Sequence, residues 1–233
     1  MIKLFSKINK LFTLTGIALC LILAWIALPR LVFSEEIPPV GDIVQKLQVA
    51  YEQTKDLQAD FIQETTLKSI KKTEREEGRV FFKNPKNMSW NYAKPKGKKL
   101  VINSQTAWLY LSEEKAAYRQ RSESIFQSKL LINFFSGTGK INNDFVIKYA
   151  QPRALDQDGN YLLILMPREK MASCDSVRLT IDKNNFYILQ LSFDDAMGNS
   201  TTLKFSNISI NTGISHKKFQ FKPPDGVQTF EVP

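Results

Sequence analysis

The chain has 233 residues, 43% of them hydrophobic and 24% charged, which is enough apolar material for a packed core. Lysine and arginine exceed the acids to give a formal charge of +9, yet the sequence holds one histidine and two cysteines. So few imidazole and thiol groups argue against a zinc centre or a nucleophile–base pair.

Residues 1–34 have the order of an export signal. Lys3, Lys7 and Lys10 precede the apolar run Leu11–Leu28, and Ser34 offers a small residue for cleavage before Glu35. The run exceeds the ~7–15 apolar residues of an ordinary signal core, so an uncleaved membrane anchor is the alternative. Loss of this segment removes three lysines and Arg30, leaving residues 35–233 as a single, mildly basic domain. Such a charge can steer toward an anionic membrane or an acidic partner, but it excludes a dedicated nucleic-acid binder. Cys20 leaves with the signal, so Cys174 has no disulfide partner and reads as a buried structural thiol.

After a linker at 35–40, the stripe Ile43, Val44, Leu47, Ala50 and Tyr51 predicts a helix over 41–56. Strand patterns follow, beginning with "LQADFIQETTLKS" from Leu57. In "GRVFFKNPKNMSWNYAKP", Gly78–Pro95, two strands meet at Asn84-Pro85. Val80, Phe82, Met88, Trp90 and Tyr92 alternate there, so the hairpin presents one nearly all-apolar face. "KLVIN", "AWLYLS" and "KAAYRQ" continue the pattern. Ile125, Phe126, Leu130, Leu131, Phe134 and Phe135 then recur at helical spacing, predicting a second helix over 125–136. Further strands are expected at "DFVIKYA", "YLLILMP", "SVRLTIDK", "YILQLSFDD", "STTLKFSNISI" and "KFQFKPP", separated by Asn, Asp and Gly turns. Many short strands interrupted by two helices predict one curved antiparallel sheet.

Reactive chemistry is scarce along the chain. His216 stands alone beside Lys217 and reads as a solvated loop residue. "SGTGK" at 136–140 fails the phosphate-loop pattern, with Phe134 where glycine is needed and Ile141 where Ser or Thr is needed. Asp194 and Asp195 are adjacent on a strand end and so diverge. The basic run Lys94–Lys99 reads as a solvated hairpin tip, with docking to an acidic partner or lipid headgroups as the functional alternative.

"LQADFIQE", the Gly78–Pro95 hairpin, "AWLYLS" and the closing "FQFKPPDGV" come in an order that resembles the LolA family of lipoprotein carriers, from about Gly41 to Val227. The resemblance implies an incomplete, half-open antiparallel β-barrel with a helical lid over an apolar concave face. It implies a monomeric periplasmic carrier, not an enzyme, with neither cofactor nor metal. Such a carrier takes acylated lipoproteins from an inner-membrane releasing ABC transporter and passes them to an outer-membrane receptor. Its acyl-chain cavity would be lined by Val80, Phe82, Met88, Trp90 and Tyr92, with Ile43, Leu47, Phe134 and Phe135 on the lid. The family commonly places an arginine before the first hairpin proline as a lid latch; Asn84 stands there, and Met88 replaces a family phenylalanine. Two rivals keep the fold: an envelope-stress sensor of the RseB type, which usually has a second C-terminal domain, and a carrier of another lipid.

Overall fold

The computed structural model describes residues 36–94, 97–123, 140–169 and 175–232. Its elements all belong to the unit Pro38–Pro233. The first apolar stripe forms helix α1, Val40–Glu52, with Ile43, Val44, Leu47 and Tyr51 buried and Asp42 in the first turn, where a negative charge suits the helix dipole. The helix stops earlier than its expected end at Asp56. Thr54 Oγ1 donates to the Ala50 carbonyl at 2.7 Å, occupying an acceptor of the last turn, and Asp56 already belongs to a strand.

Twelve strands follow among the described residues: β1 (Asp56–Leu67), β2 (Lys72–Lys83), β3 (Asn87–Lys94), β4 (Lys98–Ile102), β5 (Thr106–Leu111) and β6 (Ala116–Arg121), then β7 (Phe145–Tyr149), β8 (Tyr161–Pro167), β9 (Val177–Ile181), β10 (Ile188–Asp194), β11 (Ser200–Ile210) and β12 (Gln228–Glu231). They make one sheet in the order β12-β6-β5-β4-β3-β2-β1-β11-β10-β9-β8-β7. Three strand spacings separate β3 from β11, about 14 Å in a flat sheet. Yet the Trp90 and Phe205 ring centroids lie 6.1 Å apart. Long side chains span part of that gap, and bending of the sheet around its apolar face closes the rest.

Four further features differ from the sequence-based expectations. Strand β2 begins at Lys72 instead of Arg79, because the charged stretch "KTEREE" pairs with β1 residue for residue from Leu67 and finds its counter-ions across the ladder. A four-residue helix, α2 (Ile141–Asp144), precedes β7 and buries Ile141. "KFQFKPP" is no strand. Its first two residues close a 3-10 turn, His216–Phe219, and the rest runs on as an extended strap. Strand β12 has no counterpart in the sequence reading, and it pairs parallel to β6, so the sheet is antiparallel except at this edge. The expected helix over 125–136, with Phe134 and Phe135, lies outside the described residues, as does Cys174.

The strap crosses the convex face of the sheet. Phe219 is 1% exposed and forms a small second core with Phe81 and Ile214. Phe221 packs on Trp108 and Tyr110 at centroid distances of 5.6 and 5.4 Å. The strand-like alternation thus serves to aim two phenylalanines at the back of β2–β5. At the start of the strap, the Asp56 carboxylate accepts from the N–H groups of Thr212, Gly213 and Ile214 at 2.8, 3.1 and 3.2 Å. Further along, Lys83 Nζ donates to the Ile214 carbonyl at 2.6 Å and Asn103 Nδ2 to the Phe219 carbonyl at 3.2 Å.

Candidate functional site

The concave face is built of cross-strand rows. Leu57, Phe82, Met88, Ile102 and Ala107 pair in sequence across β1 to β5, and all five are buried. Beside them runs a longer row: Ala59, Val80, Trp90, Leu100, Leu109, Tyr118 and Phe230. Cover decreases along it. Val80 is 0% exposed, Trp90 to Tyr118 are half-buried, and Phe230 is 44% exposed, its ring stacked on Tyr118 at 5.3 Å. Helix α1 explains the gradient at the covered end, because Ile43, Val44 and Leu47 share one core cluster with Val80, Phe82 and Met88.

A third row depends on one glycine. Phe61 pairs with Gly78, and Gly78 with Tyr92. A Cβ at Gly78 would sit 2.0 Å from the Asn91 carbonyl oxygen, closer than backbone can tolerate. With no side chain between them, the Phe61 and Tyr92 rings meet edge-on at 5.0 Å. Trp90 is the hub of the aromatic group, with centroid distances of 5.0 Å to Phe61 and 5.9 Å to Phe82, both edge-to-face. Such edge-to-face pairs contribute about 0.5–1.5 kcal/mol each beyond burial.

Polar groups border this surface without adding reactivity. Tyr92 Oη donates to Gln63 Oε1 at 3.2 Å, and Lys98 Nζ lies 4.2 Å from the Tyr92 ring centroid and 2.9 Å from Glu76 Oε1. Burial raises the Tyr92 phenol well above its usual range, and the Glu76 charge adds to this. At the other end, burial likewise raises Tyr51, against a smaller opposing effect of the Ile188 N–H. Neither phenol is set up to exchange protons near neutrality. Among the described residues, no group of three His, Cys, Asp or Glu side chains could hold a metal, and no helix is long and apolar enough to cross a membrane.

The structure brings Ile43, Leu47, Val80, Phe82 and Met88 into one cluster, with Trp90 and Tyr92 packed against it. Phe134 and Phe135 lie outside the described residues. Asn84 is at the foot of α1. Its Nδ2 donates to the Thr54 carbonyl at 2.5 Å, and its backbone N–H donates to the Lys55 carbonyl at 3.0 Å. Thr54 in turn shares a hydrogen bond of 2.8 Å with the Tyr187 hydroxyl. Packing at this foot is close, with a cavity of only about 10 Å³ between Tyr51, Thr54, Leu57, Phe82 and Asn84. That is about the space of one water and far too little for an acyl chain. Phe61, Phe205 and Tyr187 belong to the same surface. Phe61 lies in the alternation of β1, whereas Phe205 in β11 and Tyr187 just before β10 come from distant parts of the chain that the sheet order brings near.

Fold and face together define a half-open, mainly β barrel that offers apolar surface under a helix. The chain belongs to the LolA family, described as the outer membrane lipoprotein carrier protein LolA, which matches residues 52–222. The outer-membrane lipoprotein carrier protein of Alkalilimnicola ehrlichii is 24% identical over 218 residues, spanning 93% of this chain and 92% of its own length. That of Helicobacter hepaticus is 32% identical over 160 residues, 68% of this chain and 74% of its own. Among solved structures, an uncharacterized conserved protein from Thermus thermophilus shares the fold at a TM-score of 0.53 and 13% identity, covering 83% of this chain and 99% of that one.

Proposed function

We propose that this protein is a lipoprotein carrier whose concave face takes up acyl chains. The observation that carries the proposal is the cover gradient along the Ala59–Phe230 row, sealed under α1 at one end and half-open at the other. Each large apolar side chain fully removed from water contributes about 1.5–3 kcal/mol, so an acyl chain laid on the open end gains by covering what α1 leaves accessible. Val80, Phe82, Met88, Trp90 and Tyr92 form the face, and Ile43 and Leu47 the helical cover. Phe134 and Phe135 are assigned to the same cover on their helical spacing. Asn84 ties the foot of that cover to β2 through a neutral hydrogen bond, where the family's arginine would form charge-assisted ones.

The same reading places the protein in the periplasm, exported by residues 1–34, which are either cleaved near Ser34–Glu35 or kept as an anchor. There it receives cargo from an inner-membrane ABC transporter and delivers it to an outer-membrane receptor. Binding, not catalysis, is its activity. Isolating the protein from cell envelopes and identifying the bound species by mass spectrometry tests the cargo. Triacylated peptides are expected. Free lipid or glycolipid instead would make it a carrier of another class, and a co-purifying signalling protein would favour a sensor. N-terminal sequencing decides between cleavage and anchoring.

A further inference from the structure

Two exposed apolar side chains sit at the far end of the sheet, away from the foot of α1. Ile70, 62% exposed, is in the β1–β2 turn, and Met197, 78% exposed, is in the β10–β11 turn. The turns are locked together. Lys68 N–H donates to Asn199 Oδ1 at 3.0 Å, and a Cβ on Gly198 would stand 2.8 Å from Lys68 Cδ. Gly198 also has φ +79, so glycine satisfies both the turn and the approach of the lysine stem. On the other flank, among the described residues, β2 runs five residues past its last partner in β3, Glu77 opposite Lys94, roughly 17 Å of strand.

Charge around this tip is uneven. Lys68, Lys71 and Lys72 are exposed on it. Nearby acids are already engaged: Glu74 pairs with Lys72 at 3.1 Å, Glu64 with Arg75 at 3.0 Å, and Glu77 with Lys94 at 2.8 Å. The Asp195 carboxylate turns into its own loop, accepting from Met197 N–H, Asn199 N–H and Asn199 Nδ2 at 2.9 Å each. Two solvent-exposed apolar groups beside lysines whose positive charge is only partly matched suit one surface, in which hydrocarbon lies beneath a layer of anionic headgroups.

We propose that the joined β1–β2 and β10–β11 tips dock this protein on an anionic lipid bilayer, with Ile70 and Met197 entering the interface and Lys68 and Lys71 meeting headgroup phosphates. The site is separate from the apolar face and needs no cargo. Docking would hold the carrier at a membrane while its concave face loads or unloads.

Amide hydrogen exchange of the full chain, with and without vesicles, tests this locally, so that any contribution of residues 1–34 does not obscure the result. Vesicles of phosphatidylglycerol and phosphatidylethanolamine should slow exchange in residues 66–72 and 195–200, whereas phosphatidylcholine vesicles should not. The double change Lys68→Gln/Lys71→Gln should raise the lipid needed for half-protection by about fivefold per lysine. The change Ile70→Ser/Met197→Ser should raise it about tenfold, while uptake of a hydrophobic probe by the concave face stays at the parent level. Unaltered exchange at both tips with anionic vesicles would overturn the proposal, as happens if the patch instead serves an acidic protein. Equal protection by phosphatidylcholine would overturn the headgroup role of the lysines. Loss of probe uptake with tip protection intact would count against the carrier reading alone.

Discussion

The two faces of the sheet are both apolar, and both are covered by the chain's own segments, but the covers are fastened differently. On the convex side the strap is held at its start by a carboxylate with three N–H donors and further on by Lys83 and Asn103, with Phe219 sealed beneath. On the concave side α1 rests mainly on apolar contact. Among the described residues its hydrogen bonds to the rest of the unit join neutral groups, including Tyr149 Oη to the Pro38 carbonyl, the Ile141 N–H to Gln48 Oε1, the Ile188 N–H to the Tyr51 hydroxyl and the Asn84–Thr54–Tyr187 group. One charged group, Lys46, lies 5.1 Å from the Phe186 ring. Charge-assisted bonds contribute about twice what neutral ones do. The strap is therefore pinned at fixed charged points, whereas α1 is held chiefly by burial of Ile43, Val44, Leu47 and Tyr51, a hold that an acyl chain taking the helix's place on the face could replace.

The largest effect on the concave face is expected from Trp90→Glu. It puts a charge at the aromatic hub of the concave face, and a hydrophobic fluorescent probe should then bind about tenfold more weakly or worse, the loss of one large apolar contact. Far-UV circular dichroism should stay close to the parent's. Undiminished probe binding would move the cargo surface away from Trp90. On the convex face, Phe219→Ala should lower stability by about 3–5 kcal/mol through the cavity it leaves. Denaturant titration measures that loss, and probe binding by the remaining folded protein should not change. Equal effects on both properties would mean the two faces are not independent.

Asp56→Asn addresses the fastening itself and should cost about 1.5–3 kcal/mol. Burial works to raise the Asp56 carboxyl, but the Thr212, Ile214 and Gly213 N–H groups outweigh it and hold the acid below its ordinary value. A group depressed in the folded state contributes stability above its unfolded pKa of about 3.9 and loses it as pH falls through the folded value. The parent should therefore lose part of its stability below about pH 4, and the Asn variant should lack that part. Parallel pH curves for the two proteins would remove Asp56 from the fastening.

The smallest effect is expected at Asn84. Asn84→Ala deletes one neutral hydrogen bond at the foot of α1, about 0.5–1.5 kcal/mol, and should raise probe uptake by up to about tenfold. Asn84→Arg should lower uptake by cargo-free protein and ease transfer to an acceptor. Uptake unchanged in both variants would place the latch elsewhere or abolish it.

How much of this is legible in the sequence follows from the range of each interaction. The alternation of Val80, Phe82, Met88, Trp90 and Tyr92 shows the face directly, because neighbours in a hairpin are neighbours in sequence. The stripe of α1 shows its buried side for the same reason. The strap misleads, since alternating phenylalanines look alike whether they lie in a ladder or across the back of one. Asp56 carries no signal at all, because its partners are more than 150 residues away. The Ile70–Met197 tip is equally hidden: each residue is an ordinary apolar group in a turn until the β1–β11 pairing sets them side by side.

That pairing has a consequence for how the protein folds. Strands β1 to β6 and β7 to β11 are two meanders in which every partner is the next strand in the chain. Among the described residues, the ladder that joins the two is β1 with β11, pairing residues such as Thr65 and Thr201 that are 136 apart in sequence. Contacts between distant residues carry the loop-closure cost before they return anything, so each meander can form locally while the seam waits. The strands of the seam carry Phe61 and Phe205, which pack on the concave face. Until the seam closes, the growing edge of each meander stays unpaired, and the nascent chain is most open to pairing with a neighbour at that stage.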